Sequence, residues 1–180
     1  METPQTVLRF WFEELTYEQW FQVSPDVDAA ITERFGRTHL ELARGKVAEW
    51  RGSPHQRLAG IIVLDQFSRN IYRGTPLAFA ADWMALREAR LALDAGADTD
   101  VAEDRRAFFY LPFEHSESLA DQELSVELFG KLGNPGYLDY AERHLAVIRE
   151  FGRFPHRNAL LGRQSNSAEL DYLSKPGAGF

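Results

Sequence analysis

The chain contains no cysteine, and only 3 of its 20 basic residues are lysines. The lack of cysteine excludes disulfide frameworks, thiolate zinc sites, iron–sulfur clusters and a cysteine nucleophile. No apolar run approaches the roughly 20 residues that cross a bilayer, and Met1 to Leu15 lacks the basic and then apolar pattern of a secretion signal. We therefore expect a cytoplasmic protein without a membrane partner, whose chemistry uses histidine, carboxylate, hydroxyl or arginine side chains.

Positive charge is also in deficit, since 20 Lys and Arg stand against 27 Asp and Glu, a net charge of −7. An acidic chain does not attract nucleic acid electrostatically, so we expect no nucleic-acid partner. The glycine-rich phosphate loops, the G-x-S-x-G nucleophile elbow and the H-E-x-x-H zinc motif are all missing as well. The usual nucleotide-binding, serine hydrolase and zinc protease classes therefore lose support, and nothing indicates a cofactor.

The chain contains clear signals for the starts of helices. Four pairs of a hydroxyl residue and proline occur, namely Thr3-Pro4, Ser24-Pro25, Ser53-Pro54 and Thr75-Pro76. The hydroxyl can accept a hydrogen bond from a free amide of the first turn, and proline at the first helical position loses only a donor that has no partner. Each pair therefore predicts a helix that begins directly after it.

The rest of the pattern predicts an all-α protein that forms a single domain over residues 1–180. No segment alternates apolar and polar residues with the period of a strand. The first and third start signals are 50 residues apart and the second and fourth are 51 apart, which indicates an irregular array of helical hairpins. Further helices are expected later in the chain, including one that ends at Leu111 because Pro112 follows it.

The third helix is apolar on all faces from Leu58 to Leu64, which predicts a central, buried helix. Its continuation carries a polar stripe of possible ligand contacts, Asp65, Arg69, Asn70 and Arg73. Two interpretations remain open for this stripe. It forms either a buried ion-pair network between helices or the wall of a pocket, in which Asn70 and Arg73 are the favoured ligand contacts.

A second polar motif follows Pro112, where Glu114, His115 and Glu117 are expected on a turn. An imidazole beside carboxylates can exchange protons, although the same residues also suit the N-terminal end of a helix. The third motif contains Arg153, His156, Arg157 and Asn158, and Asn158 is placed to cap the next helix. Arginine forks and free amides of this kind hold anions, although the two arginines could instead neutralise the acidic stretch before them.

A metal site is the weakest of the chemical options. His115, His156, Glu114, Glu117 and Asp65 are suitable nitrogen and oxygen ligands, but no pair of them has ligand spacing within one helix. We therefore predict no metal.

These three motifs resemble those of a family of bacterial proteins catalogued as domain-of-unknown-function family 924. The matching runs are Leu64 to Asn70 with Arg73-Gly74, Leu111 to Glu117, and Phe151 to Asn158. The opening Leu8-Arg9-Phe10-Trp11-Phe12 and the closing Gly177-Ala178-Gly179-Phe180 extend the resemblance over almost the whole chain. The resemblance implies an all-α fold of the tetratricopeptide-like superfamily, and it implies no activity.

Three functions fit the sequence. The leading hypothesis is a binding protein for a small anionic ligand or an acidic peptide terminus, held by Arg73, Arg153 and Arg157 and oriented by His156 and Asn158. The second is an enzyme that uses His115 or His156 as a general acid or base beside Glu114, Glu117 or Asp65, with or without a metal. The third is a scaffold in which these residues only hold helices together. The first two require the motifs to face one shared cleft.

Overall fold

Hydroxyl and proline pairs begin helical segments at all four predicted places in the computed structural model, which describes residues 1–179. The side chains of Thr3, Ser24 and Ser53 accept hydrogen bonds from the amides three residues later, at 3.2, 3.4 and 3.2 Å. Thr75 differs, because its hydroxyl donates to the Tyr72 carbonyl at 2.8 Å and the segment after it is a short 3₁₀ helix. The α-helix expected directly after Thr75 begins only beyond that 3₁₀ helix.

The described residues contain no strand, so the all-α prediction is confirmed. In chain order the α-helices are α1 (Pro4–Arg9), α2 (Tyr17–Phe21), α3 (Pro25–Ala43), α4 (Pro54–Ile62), α5 (Ser68–Ile71), α6 (Asp82–Asp94), α7 (Glu103–Glu114), α8 (Leu119–Leu132), α9 (Pro135–Phe151) and α10 (Ser167–Leu173). Between them lie the π-helical turns Phe10–Glu14 and Val63–Phe67 and the 3₁₀ turns Lys46–Trp50, Pro76–Phe79 and Pro155–Arg157. The likeness to a tetratricopeptide array stays a prediction.

The chain divides into two compact units, residues 1–112 and the residues from Phe113 onward. This division does not test the expectation of a single domain, which stays a prediction. Phe180, the last residue of the closing motif, lies outside the described residues. Within residues 1–179, no helix is long and apolar enough to cross a membrane.

Pro112 does not end its helix, contrary to the sequence prediction. α7 continues through Pro112 to Glu114. A proline this close to the end of a helix removes a single backbone hydrogen bond, and the apolar side chains around it are buried, so their packing offsets the loss. The amide group of Gln122 then caps the end of the helix, because its Nε2 donates to the carbonyls of Glu114 and Ser116 at 2.6 and 2.7 Å.

The central helix of the first unit is α4, as the sequence predicted. Its residues Leu58, Ile61 and Ile62 are fully buried. The aromatic core of the same unit adjoins this helix, where the ring of Phe67 lies 4.9 Å from that of Phe35 between ring centroids. The burial of the helix on all sides therefore follows from its apolar composition.

The π-helical turn Val63–Phe67 explains why the side chains of Ser68 and Arg69, just after it, bind backbone carbonyls. A widened turn leaves carbonyls without their usual amide partners, and side chains can supply the missing donors. Ser68 Oγ donates to the Leu64 carbonyl and Arg69 Nη1 donates to the Asp65 carbonyl, both at 2.6 Å. The polar stripe after α4 therefore begins with residues that stabilise the backbone.

In the second unit α8 and α9 pack against each other along their lengths. Gly133 ends α8 and Gly152 ends α9, both with a positive φ, 76° and 70°, that glycine adopts without strain. Beyond Gly152 the chain turns back, and the fully buried ring of Phe154 packs against Val147 and Ile148 of α9. This return brings the third sequence motif close to the second.

Candidate functional site

Asp65 lies in an ion-pair network inside the first unit. Its Oδ1 is 3.1 Å from Arg69 Nη1, and its Oδ2 accepts a hydrogen bond from Gln66 Nε2 at 2.6 Å. Arg69 also donates to both carboxylate oxygens of Asp82, at 3.1 and 3.2 Å. Burial would lower the pKa of Arg69, but the charges of Asp65 and Asp82 outweigh it and raise that pKa. The arrangement fits the network interpretation, in which the two carboxylates hold the guanidinium between α6 and the chain after α4.

Asn70 and Arg73 both contact one carboxylate, that of Asp28 at the start of α3. Asn70 Nδ2 donates to Oδ1 at 2.8 Å, while Arg73 donates to Oδ2 at 2.6 Å and to Oδ1 at 2.8 Å. Burial would raise the pKa of Asp28, but these hydrogen bonds from Arg73 and Asn70 lower it. Two residues predicted as ligand contacts therefore bind a carboxylate of the protein itself.

A buried histidine and serine pair, His39 and Ser68, was missed by the sequence analysis because the two residues lie on different helices. The His39 Nε2 and Ser68 Oγ atoms are 2.6 Å apart. The single hydroxyl proton of Ser68 already points to the Leu64 carbonyl, so the imidazole must donate to Ser68 and cannot remove its proton. Burial lowers the pKa of His39 to about 4. The pair is therefore a structural contact and does not activate a nucleophile.

In the second unit, the carboxylate of Glu114 lies beside an imidazole that the sequence analysis also missed. Glu114 is buried at the last position of α7, and its Oε1 lies 3.6 Å from His144 Nδ1. The same nitrogen donates to the Tyr140 carbonyl at 2.8 Å, which fixes the tautomer and leaves Nε2 as the acceptor. His144 lies three residues after Ala141 and four before Ile148, so the apolar stripe of α9 was the signal that could have found it.

Glu117 joins the second and third motifs. Its two carboxylate oxygens accept from Arg163 at 2.7 and 2.9 Å, and one of them also accepts from the Phe154 amide at 2.8 Å. Burial would raise the pKa of Glu117, but the hydrogen bonds from Arg163 and the Phe154 amide lower it. Arg163 donates in addition to Asn158 Oδ1 at 2.9 Å. Asn158 therefore does not cap the next helix, a role that Asn166 takes for α10.

Arg153 is committed to the carboxylate of Glu169, another partner that the sequence motifs did not include. Its Nε and Nη2 donate to the two oxygens at 2.6 and 2.8 Å, and Nη2 also donates to the Gln164 carbonyl at 2.9 Å. The hydrogen bonds from Arg153 and from the Asn166 amide lower the pKa of Glu169 to about 2. This pair ties the third motif to the N-terminal end of α10.

The ring of Phe154 is the centre of a group of nitrogen-bearing side chains. The ring centroids of His144 and His156 each lie 5.5 Å from that of Phe154, and the guanidinium carbon of Arg157 lies 4.5 Å from it. Arg157 is only 7 % exposed. With His115, whose charge acts on both imidazoles, these residues form what we call the Phe154 cluster: His115, His144, Phe154, His156 and Arg157.

The electrostatics of the Phe154 cluster favour neutral imidazoles. Burial is the largest cause and lowers the pKa of His144 to about 3 and that of His156 to about 4. The positive charge of Arg157 lowers both values further, while the negative charge of Glu117 acts in the opposite direction on His156. At pH 7 the two imidazoles therefore carry no charge and lie in a positive field.

The predicted site residues thus fall into two sets. Asp65, Arg69, Asn70 and Arg73 belong to the first unit, and Glu117, Arg153, His156, Arg157 and Asn158 belong to the second, as do Glu114 and His115. A shared cleft that all of them face stays a prediction. Among residues 1–179, no group of three or more histidines and carboxylates is arranged to hold a metal ion. Two surface grooves, of about 590 and 690 Å³, are lined by residues outside these sets.

Comparison with known proteins places the chain among bacterial relatives. The model of the family described as "Bacterial protein of unknown function (DUF924)" matches residues 7–177. A solved structure, described as that of the protein of unknown function ATU0120 from Agrobacterium tumefaciens, is 37% identical and superposes with a TM-score of 0.91. The match covers 95% of this chain and 96% of that one. No curated protein matches the chain.

Proposed function

We propose that this chain, which belongs to the DUF924 family of bacterial proteins of unknown function, is a cytoplasmic protein that binds a small anionic ligand at the Phe154 cluster. The observation that carries the proposal is the crowding of two imidazoles and one guanidinium around a single aromatic ring, with the charge of His115 acting on both imidazoles. Groups that can carry like charge destabilise one another when they are buried together. An anion among them would remove this penalty.

The charge around the Phe154 cluster supports an anion over a cation. Arg157 is nearly buried, and its charge reaches both His144 and His156. A negative charge that acts on His156 belongs to Glu117, which already accepts two hydrogen bonds from Arg163 and one from the Phe154 amide. A carboxylate or phosphate ligand would gain charge-assisted hydrogen bonds from the guanidinium and from imidazoles that take up protons.

The contacts of the other arginines change the roles that the sequence analysis predicted. Arg153 binds the Glu169 carboxylate and Arg73 binds that of Asp28. We assign the anion to Arg157 because it is buried against the Phe154 ring and its charge reaches His144 and His156, with His115 as a further neighbour. Arg153 and Arg163 are positioning residues, because their pairs hold the backbone that carries Arg157.

Binding is favoured over catalysis by the state of the candidate bases. A general base works best when its pKa lies near the operating pH, whereas the pKa of His156 is about 4. The Glu117 carboxylate is held by Arg163 and its pKa is lowered. Neither group is a strong base at neutral pH, and of the two only the imidazole of His156 can donate a hydrogen bond to a bound anion.

Calorimetric titration with inorganic phosphate and with succinate tests the proposal. We expect binding of at least one of these anions to the natural protein. Replacement of Arg157 by methionine should weaken that binding by about 1.5 to 3 kcal/mol, or about 10- to 150-fold, the range for hydrogen bonds to charged groups. The matched control is Arg149→Met, since Arg149 is a solvent-exposed arginine of α9 that pairs with Glu123 at 3.2 Å.

Circular dichroism of each variant confirms that it is folded before the affinities are compared. Equal affinity of the natural protein and a folded Arg157→Met variant would place the anion elsewhere. If neither phosphate nor succinate binds the natural protein, the binding proposal is wrong and the ion pairs of the three motifs favour a scaffold.

A further inference from the structure

Two buried polar atoms on α8 have no hydrogen-bond partner among the described residues. They are Gln122 Oε1 and Ser125 Oγ, and both side chains are 0 % exposed. The residues are three apart on one helix, so they lie on the same face. An unsatisfied buried polar atom costs free energy, and two of them within one turn of a helix require an explanation.

The orientation of the Gln122 amide follows from its surroundings. Its Nε2 donates to the carbonyls of Glu114 and Ser116 at 2.6 and 2.7 Å, and lies 3.4 Å from that of Phe113. A rotated amide would place Oε1 against these carbonyl oxygens, which cannot donate. The acceptor therefore has to point away from the end of α7, and only a donor from outside this network can satisfy it.

Glu114 connects this pair of atoms to the Phe154 cluster. Its backbone carbonyl accepts from Gln122 Nε2 at 2.6 Å, and its carboxylate Oε1 lies 3.6 Å from His144 Nδ1. The two polar regions are therefore separated by a single residue of α7. A small molecule whose acid group occupies the Phe154 cluster could carry a second polar group toward α8.

We infer that Gln122 Oε1 and Ser125 Oγ form an acceptor subsite for a hydroxyl or amino group of the bound anion, so that the ligand class is a small hydroxy or amino acid. This inference rests on the proposed function. The hydroxyl of the ligand would donate to Gln122 Oε1 and accept from the Ser125 hydroxyl, so both orphaned atoms would be satisfied. An anion without a donor would leave them unpaired and would bind less tightly.

A pair of acids that differ by one hydroxyl tests the subsite. Malate is succinate with one hydroxyl added, so the difference in their affinities isolates the donor. We expect the natural protein to bind L-malate about 30-fold more tightly than succinate, the effect of two neutral hydrogen bonds. Ser125→Ala should reduce this preference to about fivefold, because the hydrogen bond to Gln122 remains, and should leave the affinity for succinate unchanged.

Two further measurements control for structural effects. Ser118→Ala, at the exposed N-cap of α8 where no side-chain cap bond is made, should keep the preference for malate. In the free protein, Ser125→Ala should melt at the same or a higher temperature, because it removes an unpaired hydroxyl from the core. A clear drop in melting temperature would mean that the hydroxyl has a structural partner, and this would overturn the inference.

The binding outcomes separate the inference from the function on which it rests. Equal affinities for malate and succinate would overturn the subsite and leave the anion site intact, as would an undiminished preference for malate in Ser125→Ala. Failure of malate, succinate and phosphate to bind at all would overturn the anion site and the subsite together.

Discussion

Two buried histidines should make the protein lose stability in mild acid. His39 in the first unit and His144 in the second are each 4 % exposed. Burial lowers the pKa of His39 to about 4 and that of His144 to about 3. In the unfolded chain both return to about 6.5. Between pH 6.5 and pH 4 the unfolded state therefore binds protons that the folded state does not, and stability falls as the pH falls.

The loss of stability between pH 7 and pH 5 does not depend on how far the pKa values of the two histidines in the folded protein lie below 5. At pH 5 the folded protein still holds both imidazoles neutral, so the loss follows from the ordinary pKa alone. Between pH 7 and pH 5 each histidine lowers the free energy of unfolding by about 1.9 kcal/mol, and the two together by about 4 kcal/mol. Paired carboxylates such as Glu117, whose pKa is lowered, lose their contribution mainly at lower pH, because an unfolded glutamate titrates near 4.3.

Urea unfolding at pH 7, 6 and 5 measures the effect. All four tryptophans lie in the first unit, so tryptophan fluorescence follows the unit of His39, while circular dichroism at 222 nm follows both units. His39→Gln keeps a donor for Ser68, and His144→Asn keeps a donor for the Tyr140 carbonyl. Each variant should lose about 2 kcal/mol less between pH 7 and pH 5 than the natural protein does. His55→Gln, at an exposed position, should match the natural protein.

The comparison uses only the change with pH, so a variant that is less stable at pH 7 remains informative. If both variants show the same pH dependence as the natural protein, the two imidazoles are not held neutral by burial. The electrostatic description of the Phe154 cluster, which includes His144, would then be wrong.

Two further predictions concern residues that stabilise the fold. Ile62→Ala should lower the free energy of unfolding by about 2 to 5 kcal/mol, because Ile62 is fully buried in α4. Urea unfolding measures this loss. A loss below about 0.5 kcal/mol, the level of a surface substitution, would mean that α4 is not central. Arg153→Met should lower the melting temperature measured by circular dichroism, since the buried Glu169 carboxylate loses both of its arginine hydrogen bonds. An unchanged melting temperature together with weaker succinate binding would instead mean that Arg153 contacts the anion.

Local signals in the sequence predicted the helix starts well, whereas the predicted end of α7 was wrong. A hydroxyl at the N-cap and proline after it act within one turn, so Ser24 and Ser53 could be identified without knowledge of the fold. Pro112 shows the opposite case. Its local preference ends a helix, but the burial of its apolar neighbours and the cap supplied by Gln122 from the next helix carry α7 on to Glu114.

In the candidate site, too, the sequence predicted contacts between residues that are close in the chain and missed contacts between residues that are distant. The pair of Asp65 and Arg69 could be predicted because residues four apart on a helix are neighbours. Asp28 and Glu169, which bind Arg73 and Arg153, lie 45 and 16 residues away from them. No spacing rule connects such partners, so an arginine without a local acid was interpreted as a ligand contact when its acid lay elsewhere in the chain.

The carboxylate partners of Arg73 and Arg153 change which residues are candidates for binding a ligand. Asp28 holds Arg73 and Glu169 holds Arg153, and the proposed cationic centre of the anion site is Arg157, which lies over an aromatic ring among imidazoles. Burial of an arginine among imidazoles that can also carry positive charge costs free energy. An anion that lowers this cost would also raise the pKa of the surrounding imidazoles. Binding of succinate or phosphate at this position therefore implies uptake of protons, and the same ligand should protect the second unit against the acid destabilisation caused by His144.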